Sequence, residues 1–131
     1  MRKFHTHCFA CGEGFENGLK LQFKLLEDGS IRGAFQIANK YQGYDDVSHG
    51  GIVATILVSS MVNLFYLRDG KKLTTARLNI RYVKPVPVEE VITIRAVSHE
   101  NIRKFYRAKS QISLGSTVLA EAEGFFTNSV A

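Results

Sequence analysis

The sequence predicts an α+β chain in which a curved antiparallel sheet of about six strands wraps round one long central helix. Three observations predict it. Runs of alternating apolar and polar residues, the period of a strand, stand on both sides of a single long apolar stretch. That stretch, Ile52 to Leu67, is too long for one strand, so length decides for helix although many of its residues are β-branched. Its apolar residues lie nearly all round a helical wheel, so the helix needs cover on every side. The sheet supplies one side, and a second subunit could supply part of the other.

Taken in order, residues 1–18 are rich in Gly, Cys and His and read as a loop or short helical turn. Leu19 to Lys24 alternates as a strand. Glu27-Asp28-Gly29-Ser30 is a hairpin turn signal, and Ile31 to Ala38 alternates again with Ile31, Gly33, Phe35 and Ile37 on one face. Asn39 to Ser48 is a polar loop. The helix opens at Gly50-Gly51, and Arg68-Asp69-Gly70 closes it with a C-terminal glycine. Thr75 to Val83 carries Leu78, Ile80 and Tyr82 on alternate positions, and Pro85 and Pro87 suit its end. Val91 to Ser98, Lys104 to Ser113 and Val118 to Phe126 complete the strands, with Gly115-Ser116 as a tight turn between the last two.

The chain of 131 residues fits a single domain, 1–131, with no repeat and no linker. A 45% hydrophobic share, 22% charged residues and only two prolines argue against disorder. Seventeen Lys+Arg against twelve Asp+Glu give a net charge of +5, which favours an anionic partner without naming it. No nucleic-acid motif appears, and the aromatic residues alternate as core positions do, so nucleic acid is not expected. The apolar stretch holds Thr55, Ser59, Ser60 and Asn63 and falls short of the ~20 residues that span a bilayer, so no membrane is expected. Met1 to His5 lack the apolar core of a signal peptide, and two cysteines cannot make a disulfide framework. A reducing, cytoplasmic setting is expected.

Four segments carry a resemblance that covers the chain from about Cys8 to Phe126. They are Cys8-Phe9-Ala10-Cys11-Gly12 with Asn17-Gly18-Leu19; Tyr41-Gln42-Gly43-Tyr44 leading to His49-Gly50-Gly51-Ile52; Leu78-Asn79-Ile80-Arg81-Tyr82-Val83-Lys84-Pro85-Val86-Pro87; and Ala120-Glu121-Ala122-Glu123-Gly124-Phe125-Phe126. In this order they resemble the hotdog-fold thioesterase superfamily, and within it the small acyl-CoA thioesterases of the phenylacetic-acid-degradation type. The resemblance implies the hotdog fold, an acyl-CoA ligand, no cofactor, and a homo-oligomer, dimer or tetramer, with its pocket at a subunit interface.

Thioester hydrolysis needs a polarised carbonyl and a delivered water or carboxylate. Gly50 and Gly51 stand at a helix N-terminus, where backbone N–H groups are unpaired and the dipole favours negative charge. The resemblance implies that the Gly50 amide faces the thioester oxygen with His49 alongside; the glycines would equally permit close packing of helix on sheet. The family usually carries Asp or Glu nine residues after this histidine, as nucleophile or general base. Here that position is Val58, followed by Ser59 and Ser60, and valine can do neither job.

Three substitutes are open. Asp45 or Asp46 could swing in. His49 could act as base with Thr75 or Gln42 holding a water; related enzymes often place a hydroxyl where Thr75 falls. Ser59 or Ser60 could be a nucleophile, but neither has an identified base, and buried helical serines usually bond back to a carbonyl. Cys8 and Cys11, with His5 and His7, have a CxxC spacing that zinc can use, yet no second ligand pair appears and no metal is expected. Arg103-Lys104 lies where hotdog proteins often meet the phosphates of coenzyme A, or is a solvated turn. Lys71-Lys72 reads as solvated. Arg77, Arg81 and Lys84 form either a basic rim, with Arg77 as a candidate binding residue, or the wet side of a sheet.

The reading is therefore an acyl-CoA thioesterase that releases free acid and coenzyme A. Its alternative is a non-catalytic acyl-CoA or acyl-carrier binding protein that has lost the helix carboxylate.

Overall fold

Period-two burial builds the sheet. In the computed structural model, which describes residues 6–128, the strands are β1 Lys24–Leu25, β2 Ile31–Gln36, β3 Leu73–Tyr82, β4 Val91–Ile102, β5 Phe105–Leu114 and β6 Thr117–Asn128. The helix α1 is Gly50–Asp69, preceded by a 3-10 turn over Asn39–Tyr41. The strands form one antiparallel sheet ordered β1-β2-β4-β5-β6-β3, and α1 packs against all of them. Ile92, Ile94 and Ala96 on β4, Ala108, Ser110 and Ile112 on β5, and Ala120, Ala122 and Phe126 on β6 are buried on the helix side. The residues between them face outward. This is the predicted hotdog architecture.

The core closes around Phe65, whose ring centroid lies 5.9 Å from that of Tyr106 and 5.7 Å from that of Phe126. Burying each such side chain contributes about 2–3 kcal/mol. Two buried polar residues on α1 bond back to the helix: Ser60 Oγ bonds the Leu57 carbonyl at 2.6 Å, and Asn63 Nδ2 donates to the Ser59 carbonyl at 2.8 Å. Ser60 Oγ also meets Ser110 Oγ on β5 at 2.5 Å, tying the helix to the sheet.

Three elements differ from expectation. The segment Leu19 to Lys24 alternates in burial, with Leu19, Leu21 and Phe23 inside, but only Lys24–Leu25 joins the ladder. The N–H groups of Leu19 and Leu21 go instead to the carbonyls of Phe9 and Ala10, at 2.8 and 2.9 Å. The side-chain pattern was that of a strand, while the backbone bonds are spent on the N-terminal loop. Second, α1 runs on to Asp69 and ends at Gly70, whose φ of 68° lets the chain turn off the helix. At 20 residues the helix is long and apolar enough, by length and composition, to cross a membrane. Third, it is not covered all round. Thr55, Val58, Val62 and Tyr66 form a half-buried stripe on the side away from the sheet.

The last strand of the sheet, β3, is a free edge. It carries a bulge at Ala76: Thr75 pairs with Phe126 and Arg77 with Phe125. Phe126 points to the helix, so Thr75 does too, along with Leu78, Ile80 and Tyr82. Were Ala76 paired in a regular ladder, strict alternation would put Thr75 on the outer face with Arg77, Asn79 and Arg81.

Candidate functional site

The helix start is strapped in place by its approach. The His49 N–H donates to the Tyr41 carbonyl at 2.9 Å, the Ser48 N–H to the Val86 carbonyl at 2.7 Å, and the Gly43 N–H to the Val47 carbonyl at 2.8 Å. Gln42 does not face outward as a free water holder: its Oε1 accepts from the Asp46 N–H at 2.9 Å and tightens this loop. Asp45 and Asp46 are exposed on it.

His49 is the N-cap. Its Nδ1 accepts from the Gly51 N–H at 2.9 Å. The Gly51 amide is therefore occupied, and the sequence-based pairing of both glycine amides as carbonyl donors reduces to one. In the neutral ring this bond assigns the proton to Nε2, so His49 offers a donor rather than a base. The Gly50 N–H has no acceptor among the described residues. It is exposed at the positive end of a helix about 30 Å long. Two donors at the helix start, Gly50 N–H and His49 Nε2–H, are thus left without an acceptor among the described residues.

Tyr82 joins them, where the alternation of β3 alone marks it as no more than a strand position. Its hydroxyl donates to the Gly50 carbonyl at 2.7 Å, and the residue is 53% exposed at the end of β3. A tyrosine on an expected inward position that borders a proline-marked strand end was the available signal.

The remaining candidates lie elsewhere in the same chain. Thr75 shares the helix-facing side of β3 with Tyr82 but sits about 20 Å up the strand. Val58 is half-buried on the uncovered stripe, about 12 Å along the helix from Gly50. Within α1 the sole carboxylate is Asp69, in the last turn and paired with Arg68 at 2.7 Å. Ser60 is fully buried and bonded; Ser59 is buried too. Arg103-Lys104 forms the exposed β4–β5 turn, with φ of 56° at Arg103. That turn lies at the far end of the helix, since neighbouring Tyr106 packs on Phe65, about 22 Å from Gly50. Lys71, read from sequence as merely solvated, lies at the same end, its Nζ 5.5 Å from the Tyr106 ring centroid.

Arg77 stands on the outer face, its guanidinium 5.9 Å from the Phe125 ring centroid, and so on the opposite side of the sheet from Gly50. Lys84 falls beyond β3, so the basic alternation stops at Arg81, which pairs with Glu121 at 3.2 Å. A groove of about 470 Å³ lined by Arg81, Arg95, Lys109, Gln111, Glu121 and Glu123 also lies on this outer face, away from the helix start. Cys11 is buried in the core and Cys8 half-buried, while His5 lies outside the described residues. Among the described residues no group of three or more His, Cys, Asp or Glu is placed to hold a metal.

No protein-family model matches the chain. It is 28% identical over 118 residues to the acyl-coenzyme A thioesterase THEM4 of Bos taurus, covering 86% of this chain and 48% of that protein. The chain spans about half the length of the curated relatives it matches. Among solved structures, the thioesterase superfamily protein RHA08564 superposes with a TM-score of 0.81 at 26% identity, covering 91% of this chain and 62% of the other. A phenylacetic acid degradation-related protein from Ralstonia eutropha shares the fold with a TM-score of 0.72 at 17% identity, over 82% and 84% of the two chains. A hypothetical thioesterase from Streptococcus pneumoniae, solved with coenzyme A, shares it with a TM-score of 0.74 at 20% identity, over 88% and 90%. With its antiparallel sheet laid along one helix, the chain has the hotdog fold, and in sequence and fold it is similar to proteins of the thioesterase superfamily.

Proposed function

We propose that the chain hydrolyses an acyl-CoA thioester to a free acid and coenzyme A. The observation that carries this reading is the Gly50 N–H at the positive end of α1, which has no acceptor among the described residues, beside a histidine whose Nδ1 bond leaves its proton on Nε2. As water adds to the thioester carbon, negative charge gathers on the carbonyl oxygen. These two donors are set to hold it, which is where preorganised hydrogen bonds lower a barrier most. When the tetrahedral adduct collapses, the sulfur leaves and takes up the proton that the water gave away.

Among the described residues Thr75 lies far from Gly50 of the same chain, and a second copy would bring a hydroxyl to it. An exposed edge such as β3 is open to pairing. Antiparallel pairing of two β3 edges runs the strands in opposite senses, so Thr75 of the partner subunit approaches the Tyr82 end. The same two-fold arrangement carries the basic Arg103-Lys104 turn and Lys71 of the partner subunit toward the substrate, where they suit coenzyme A phosphates. The acyl group lies along the half-buried stripe of α1. A homodimer, or a tetramer of two such dimers, is the proposed assembly, and the cytoplasm its proposed location. Asp45 and Asp46 are the nearest carboxylates by sequence to the helix start and are the other candidates to activate the water.

A specific observation favours a second reading. Val58 stands on the uncovered stripe where a carboxylate would serve, and Asp69 is paired at the wrong end. A protein that binds acyl-CoA without turnover would have this same shape. Hydrolysis and binding measured together on short, long and aromatic acyl-CoAs decide between them. Turnover that His49→Ala and Thr75→Ala abolish supports the hydrolase. Tight binding with no turnover establishes the binder, and neither binding nor turnover on the whole panel removes both.

A further inference from the structure

We infer that Tyr82 is a positioning residue of this site, holding the peptide next to the carbonyl-polarising amide in its working orientation. The inference rests on the reading of Gly50 as that amide. The first turn of a helix has unpaired N–H groups, but its carbonyls already accept within the helix. The Gly50 carbonyl therefore needs no cap. Yet the Tyr82 hydroxyl donates to it at 2.7 Å, from a residue that is 53% exposed and so owes little to burial.

The consequence falls on one peptide. The unit between Gly50 and Gly51 is gripped at both ends: its N–H by His49 Nδ1 at 2.9 Å and its carbonyl by Tyr82. On the other side of Gly50, the His49 N–H is tied to the Tyr41 carbonyl at 2.9 Å. Two adjacent glycines have the widest backbone freedom of any pair, and the N-terminal turn is where a helix frays. The bond from Tyr82 removes that freedom where the Gly50 N–H must point at a substrate oxygen. It also ties the start of α1 to the end of the free edge β3, so that joining two edges and aiming the amide become one event. The ring stands beside Gly50 as a wall: a Cβ placed on Gly50 would lie 3.6 Å from the Tyr82 hydroxyl and 3.8 Å from its ring carbons.

The test compares Tyr82→Phe, which keeps the ring and loses only the hydroxyl, with the unaltered chain, using the acyl-CoA of the panel that turns over fastest. Expected are a three- to tenfold fall in kcat, KM within twofold, and an unchanged thermal midpoint. The backbone order parameter of the Gly50 amide, read by NMR without substrate, is expected to drop from the rigid range near ~0.85. An unchanged kcat with an unchanged Gly50 order parameter overturns the inference. So does a fall in thermal midpoint that accounts for the whole loss, because it reduces Tyr82 to a structural bond. If the unaltered chain turns over nothing, the polarising role of Gly50 fails; the order parameter alone then decides whether Tyr82 holds this peptide.

Discussion

His49 caps the helix through Gly51: the imidazole Nδ1 accepts the Gly51 N–H at 2.9 Å, so one side chain both caps α1 and removes one of the two glycine amides from the chemistry. Capping and catalysis can then be separated by substitution. Losing a cap costs about 1 kcal/mol, and asparagine caps about as well as any residue. His49→Ala is expected to lower the thermal midpoint by a few degrees, and His49→Asn to hold it near the original. Both are expected to lose turnover, because neither keeps the Nε2–H donor. Calorimetry and hydrolysis of the same preparations check this, and full activity in His49→Asn would show that the second donor is not used.

Beside the bulge at Ala76, Thr75 stands opposite Phe126 on the helix side of β3. Thr75 is exposed, so Thr75→Ala should change stability by no more than about 0.5 kcal/mol while lowering turnover at least tenfold. Deleting Ala76 removes the bulge but leaves Thr75 directly before outward-facing Arg77, so regular alternation keeps Thr75 opposite Phe126 on the helix side. The deletion is therefore expected to keep turnover that Thr75→Ala loses. A loss in the deletion as large as in Thr75→Ala would mean that the bulge itself, and not the facing of the hydroxyl, is what turnover needs.

Val58 is half-buried on the open stripe, so an acid there need not be desolvated. Val58→Asp is expected to fold, with a midpoint within a few degrees, and to raise turnover on acyl-CoAs that the unaltered chain already binds. Binding without any gain in turnover would place the missing step elsewhere than at this position.

Gly124 faces the core where no side chain fits. A Cβ there would lie 2.7 Å from the Phe126 ring and 3.2 Å from the end of Met61. Phe126 is fully buried and cannot give way freely. Gly124→Ala is expected to cost about 1–3 kcal/mol by overpacking, read from urea unfolding at an unchanged slope. A variant as stable as the parent would show that the ring relocates.

The turn before β2 sets part of the acid response. The Ser30 hydroxyl and amide both bond Asp28, and Arg95 sits 3.2 Å away, which together hold its carboxyl below the usual aspartate value. A lowered folded-state pKa means that the contribution is complete above the ordinary value of 3.8 and is lost as pH falls below it. Asp69, lowered by its bond to Arg68, acts in the same window. Asp28→Asn is expected to lower the thermal midpoint slightly at pH 7, where the contribution of Asp28 is complete, and to lessen the further loss between about pH 4 and pH 2. Identical acid limbs in the two proteins would contradict this.

Much of the architecture follows from local pattern. The long apolar run could only be a helix, and the order of two strands, helix and four strands is that of the chain as folded. Leu19 to Lys24 shows the limit of such reading: burial alternates there as it does in a strand, but alternation is blind to where the backbone N–H groups go. Three of the site residues, His49, Gly50 and Gly51, were legible because a helix start announces itself in consecutive residues. Tyr82 was not, since its bond to Gly50 spans 32 positions.

By itself, then, the sequence determined the elements, the helix start and the substitution of valine for a carboxylate, all of which depend on neighbours in the chain. Only the tertiary structure decided which groups face which. It occupied the Gly51 amide, left the Gly50 amide open, turned Thr75 inward through a one-residue bulge and Arg77 outward, and set both Thr75 and the Arg103-Lys104 turn far from Gly50 in the same chain. The physical reason is that a hydrogen bond's direction and a strand's register are settled by partners distant in sequence, and a shift of one residue exchanges the two faces of a sheet.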